Sequence, residues 1–172
     1  NSKKIIDELF DKIEDMENKY SRYVEGSEIS EINSNPGTFV SVSEDTFELV
    51  EHCLYFSAIS DGLFDISIGP LVDLWDINGE NPKVPSRSEI DEAKNKINYR
   101  NIAVDRENRA VSVTDGMSID PGAVAKGFIT DRLVAVLRER KINSALLNLG
   151  GNLYMLGTKP DGSSWTIGIR DP

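Results

Sequence analysis

Two stretches constrain this chain more than any others. They are NIAVDRENRAVSVT (residues 101–114) and SALLNLGGNLYMLG (residues 144–157). Each sets two alternating apolar segments around a short turn, DREN in the first and Gly150-Gly151 in the second. Strands joined by so short a turn run antiparallel, whereas parallel strands need a crossover of a dozen residues or more. The segments around them follow a helical period. Ile5, Ile6, Leu9, Phe10, Ile13, Met16 and Tyr20 recur at that spacing, and a long helix is expected over 121–141 with Val124, Phe128, Leu133, Val136 and Leu137 apolar. Hairpins mixed with helices predict an α+β domain with a mainly antiparallel sheet, not a doubly wound one. With 172 residues and no internal repeat, one domain is expected.

Turn and cap residues place the remaining elements. Ser27 caps a short helix through Ile32, and TFVSV alternates as a strand. Ser43 starts a helix with Phe47, Val50, Leu54 and Ala58 on one face, stopped by Asp61-Gly62. Within GLFDISIGPLVDLWDING, Gly69-Pro70 opens a short helix to Trp75. Ser86 and Glu89 form a capping box for a helix to about Ile97, after the loop NPKVP. SWTIGI reads as a last strand.

Charge and residue inventory exclude several chemistries. A formal net charge of -10 argues against non-specific nucleic-acid binding, which needs a basic footprint, and against electrostatic membrane binding. Any phosphate ligand must be screened locally by a metal ion, a few cations or backbone N–H groups. Cys53 is the only cysteine, so no intrachain disulfide and no paired-cysteine zinc site exists. His52 is the only histidine and falls on an amphipathic helix, which leaves little room for a serine-histidine triad or a histidine-based metal site. No P-loop and no dinucleotide-binding glycine fingerprint is present, and no apolar run is long enough to span a bilayer. The chain begins NSKK without Met, so a trimmed chain is expected, from which any targeting segment would be missing.

Carboxylates therefore carry the chemistry. Asp65 lies between Phe64 and Ile66, and Asp120 follows Ile119. A carboxylate among apolar neighbours needs a hydrogen bond, an ion pair or a metal. In SIDPGAVAKGFITDRL, Asp120-Pro121 reads as an ordinary helix start. Ala123, Lys126 and Gly127 then share one face near a helix N-terminus, where free N–H groups favour an anion. A lysine there opposes the helix dipole, for which an anionic ligand would be a reason. The residues alone leave both readings open, the plain cap and the anion site. Gly150-Gly151 suits a turn or a close approach of backbone, and Tyr20, Tyr23 and Trp75 suit either core packing or stacking on a flat ring.

Four ordered stretches, YSRYVEGSEISEIN, SDGLFDISIGPLVDLW, SIDPGAVAKGFITDRL and SALLNLGGNLYMLG, resemble the ApbE family of FAD:protein FMN transferases. The resemblance implies a T-fold-like α+β domain that uses FAD with Mg2+. It moves FMN from FAD to a threonine hydroxyl of an acceptor flavoprotein and releases AMP; some members instead hydrolyse FAD to FMN and AMP. It implies flavin or FAD contacts at Tyr23, Leu63, Phe64, Asp65, Asp120 and Lys126, catalytic assistance from Asp120 and Lys126, and a metal ligand at the backbone carbonyl of Ala123. Acceptors in the family are flavin-carrying subunits of membrane redox complexes. Members are commonly exported and lipid-anchored, although a cytoplasmic location is compatible with this sequence. The family's first strand and its C-terminal metal-ligand motif have no counterpart here, so little or no transferase activity is expected of the 172 residues by themselves.

Overall fold

A computed structural model of the chain describes residues 2–77 and 79–169. They form two compact units. Of the described residues, 2–14 and 126–169 build one, and 15–77 with 79–125 build the other.

The larger unit centres on a three-stranded antiparallel sheet in the order β1-β3-β2, with β1 at Val40–Ser41, β2 at Ala103–Asp105 and β3 at Ala110–Ser112. The predicted hairpin is present, with Val104 opposite Val111 and Asp105 opposite Ala110. As the central strand, β3 is buried along its whole length.

Helices α2 (Glu28–Ser34), α3 (Glu44–Ile59), α4 (Gly69–Trp75) and α5 (Arg87–Lys94) complete this unit with a 3-10 turn at Tyr99–Asn101. Each expected cap is in place. The Ser27 and Ser43 hydroxyls accept from the Ser30 and Thr46 amides, and Ser86 and Glu89 make the capping box. Helix α5 stops at Lys94, short of Ile97.

The buried face of α3 differs from the expected one. It is Thr46, Leu49, Val50, Cys53 and Ser57, together with Phe47, while Ala58 is exposed. A buried serine breaks the apolar pattern on which the expectation rested. The Ser57 hydroxyl donates to the Cys53 carbonyl at 2.9 Å and accepts from the Ile66 amide at 3.3 Å, so its polarity is used.

The remaining unit holds the hairpin of β4 (Ala145–Leu149) and β5 (Asn152–Leu156), paired antiparallel from Ala145↔Leu156 to Leu149↔Asn152. Gly150 and Gly151 have φ of 57° and 92°, the left-handed region a two-residue hairpin turn requires. Most of α6 (Gly122–Glu139) and the first part of α1 (Ser2–Tyr20) belong here as well. On α1, Leu9 is buried while Ile6 and Phe10 are exposed and line a groove of about 490 Å³ with Leu133, Leu137 and β4. The expected strand at 164–169 is not formed. Exposure alternates only over 164–168, Ile169 being exposed, and no described strand supplies the ladder that a strand needs.

The S57A variant leaves the buried Ile66 amide without its acceptor, so a loss of about 1–3 kcal/mol is expected in urea unfolding.

Candidate functional site

The approach to α6 is fixed by backbone pairing. The segment 66–69 lies beside 118–120: the Asp120 amide donates to the Ile66 carbonyl at 2.8 Å, Ile68 bridges Ser118 in parallel, and the Gly69 amide donates to the Ser118 carbonyl at 3.2 Å. Gly69 is required by this approach, because a β-carbon there would lie 2.6 Å from the Ser118 carbonyl oxygen. On the other side, the Asn33 side chain acts as a substitute strand. Its Oδ1 accepts from the Ile119 amide at 2.7 Å and its Nδ2 donates to the Ile119 carbonyl at 3.0 Å. Ile119 itself is fully buried.

Asp120 caps the helix from one residue further out than expected. Helix α6 begins at Gly122, and the Pro121 carbonyl already accepts from the Ala125 amide at 2.9 Å. Proline has no capping side chain, so Asp120 Oδ1 accepts the first free N–H, that of Gly122, at 2.8 Å. The other carboxylate oxygen faces Arg22 NH1 at 3.5 Å.

Leu63, Phe64, Asp65, Asp120 and Ala123 line one open cleft of about 400 Å³, together with Ile68, Val72 and Gly122. The Leu63 side chain is 95% exposed, an apolar group held out to solvent on a turn. Asp65 is what holds that turn. Its Oδ1 accepts from the Ser67 amide (2.8 Å) and hydroxyl (2.7 Å), and its Oδ2 from the Tyr99 amide (3.0 Å). The hydrogen-bonded alternative for this carboxylate is therefore the one realised.

Tyr23 lies in an adjoining cleft of about 580 Å³ with Leu71, Asp73, Trp75 and Ile77, and Val72 belongs to both clefts. Tyr23 is 69% exposed, whereas Tyr20 is core at 4%. Lys126 belongs to the other unit. Its Nζ would be 3.9 Å from a β-carbon at Gly150, so it sits beside the glycine turn of the β4-β5 hairpin. A short chain of bonds ties that hairpin to α6: Thr130 Oγ1 donates to the Lys126 carbonyl at 2.7 Å and accepts from Asn152 Nδ2 at 3.3 Å.

Two residues escaped the sequence reading, Arg22 and Asn33. Both lie inside YSRYVEGSEISEIN, but an arginine and an asparagine on a helix flank read as surface until their partners are known.

Among the described residues no group of three or more His, Cys, Asp or Glu is placed to hold a metal ion. The carboxylates lining the cleft are those of Asp120 and of Asp65, whose two oxygens already accept hydrogen bonds. Such hard donors fit Mg2+, which commonly takes one or two carboxylates and completes its shell with water and substrate phosphate.

The ApbE family model matches residues 2–172. The chain belongs to the ApbE family. Two curated relatives are the FAD:protein FMN transferases of Treponema pallidum, 30% identical over 97% of this chain and 50% of the relative, and of Klebsiella pneumoniae, 35% identical over 85% and 45%. The ApbE crystal structure from Thermotoga maritima superposes with a TM-score of 0.93 at 33% identity, over 99% of this chain and 56% of that one. The flavinyl transferase ApbE of Pseudomonas stutzeri does so at 0.89 and 27%, over 98% and 57%. The α+β fold expected from the hairpins is the fold of these ApbE structures. The chain spans about half the length of the curated relatives it matches.

N33A removes both partners of the buried Ile119 backbone and is expected to cost about 1–3 kcal/mol in denaturant unfolding. Burial, with the Asp120 carboxylate adding to it, pushes the Cys53 thiol up to about 12. The unfolded chain ionises this thiol near pH 9 and the native chain does not, so its stabilising contribution is complete below pH 9 and is lost as pH rises towards 12. Unfolding at pH 8 and pH 10.5 should differ by about 1–2 kcal/mol more in the native sequence than in C53A.

Proposed function

We propose that this chain binds FAD and that the protein it belongs to is an Mg2+-dependent FAD:protein FMN transferase. The observation that carries the reading is the single cleft in which the Leu63-Phe64-Asp65 turn faces Asp120, Gly122 and Ala123 at the start of α6. Its apolar wall and the neighbouring Tyr23 and Trp75 suit a flat ring system. Names of relatives on both the sequence and the structure side support the same activity.

In this reaction an acceptor threonine hydroxyl attacks the FMN phosphorus. The bond from that phosphorus to the bridging oxygen breaks, AMP leaves with that oxygen, and the hydroxyl proton passes to a base. Bound Mg2+ supplies charge neutralisation on the pyrophosphate. The residues of this chain have the following roles in the proposal. Leu63 and Phe64 hold the nucleotide by apolar contact, and Asp65 acts through the turn it fixes. Tyr23 contacts the flavin. Asp120 orients the ligand and is the nearest carboxylate to take the proton. The Ala123 carbonyl ligates the metal, and Lys126 offsets phosphate charge. The family resemblance supports, as part of the proposal, flavin-carrying subunits of membrane redox complexes as acceptors and a lipid-anchored place at the outer face of a membrane for the whole protein. No described helix is long and apolar enough to cross a membrane.

Titration of the chain into FAD with Mg2+, followed by flavin fluorescence, should show saturable quenching, weakened about tenfold or more in D120A. Absence of saturable quenching by the native chain would sink the reading. AMP release without label on an acceptor peptide would favour FAD hydrolysis over transfer.

A further inference from the structure

We infer that Arg22 is the positioning residue of this cleft, a buried guanidinium that fixes the plane of the Asp120 carboxylate. Its functional weight rests on the flavin-nucleotide reading, but its geometry does not. The Arg22 side chain is only 7% exposed. One nitrogen, NH2, donates to both oxygens of Asp73 at 2.8 and 2.7 Å. The other, NH1, donates to the Gly69 carbonyl at 3.4 Å and faces Asp120 Oδ2 at 3.5 Å. The guanidinium carbon also lies 5.4 Å from the centre of the Tyr23 ring.

This arrangement has a consequence for Asp120. A carboxylate held at one oxygen alone can rotate about its last side-chain bond. Asp120 is engaged at both, by a hydrogen bond from the Gly122 amide on Oδ1 and by the ion-pair contact with Arg22 on Oδ2, so its plane is set before any ligand arrives. Arg22 in turn is held by Asp73 on α4 and by the first carbonyl of that helix. The charge matters as much as the geometry. The Asp120 side chain is 19% exposed, and without Arg22 it would face an anionic nucleotide uncompensated. Arg22 therefore acts on the ligand through Asp120 rather than by touching it. A lysine would keep the charge but not the fork that spans Asp73 and Asp120.

The test uses two readouts on the full chain, the Gly122 amide by NMR and FAD affinity by fluorescence. In R22M without ligand, exchange of the Gly122 amide should quicken about tenfold while the core amides of Val50 and Val111 stay as in the native chain. R22K should fall between the two. In FAD titrations R22M should weaken binding about tenfold on its own but less than about twofold in a D120A background, because Arg22 acts through Asp120. Native exchange at Gly122 in R22M, acceleration spread over the core, or effects of R22M and D120A that multiply would each overturn the inference. If R22M does not fold, R22K is read in both ways, and a native Gly122 amide there overturns it as well. A native chain that fails to bind FAD defeats the flavin reading alone, since the Gly122 amide still decides the role of Arg22.

Discussion

The short backbone pairing between 66–69 and 118–120 is the constraint on which this site depends. Two loop segments far apart in sequence are brought within hydrogen-bonding distance, and each then leads directly into a helix. One continues into α4 and the other into α6. The Asp120 amide on the Ile66 carbonyl and the Asn33 side chain on Ile119 leave no freedom in how α6 begins. A helix start whose position is determined this tightly can present a carboxylate at a defined place, which a surface loop cannot. Gly69 is part of the same constraint, since any side chain would push the two segments apart.

Around that pairing, polar side chains do work usually given to backbone ladders. Ser57, Asn33 and Asp65 each use a side chain to replace a missing backbone partner, at Ile66, Ile119 and Tyr99 respectively. Buried amides need acceptors, and irregular segments lack the ladders that supply them. The result is a turn at Leu63 and Phe64 and a helix start at Gly122 that face one cleft without regular secondary structure between them. Arg22 adds the electrostatic counterpart, sharing one buried positive charge between Asp73 and Asp120.

The fold was largely legible in the sequence because caps, turns and periodicity are local. Ser27, Ser43 and the Ser86–Glu89 box act over three residues, and Gly150-Gly151 over two. Where the reading failed, the deciding information was not local. The face of α3 turned on whether Ser57 had partners nine residues away and on the helix itself. The segment 164–169 lacks a ladder partner among the described residues.

The sequence by itself determined the elements, the α+β class, the carboxylates worth attention and, through four ordered stretches, the ApbE family. Only the tertiary structure decided what each carboxylate does. Asp65 and Asp120 look alike in sequence, each beside an isoleucine in an apolar stretch. Asp65 has both oxygens turned to a loop it stabilises, whereas Asp120 shares a cleft wall with Ala123 and is oriented by Arg22, 98 positions away in the chain. That difference is set by which donors the fold brings to each carboxylate, a property of contacts between distant segments that no local pattern encodes.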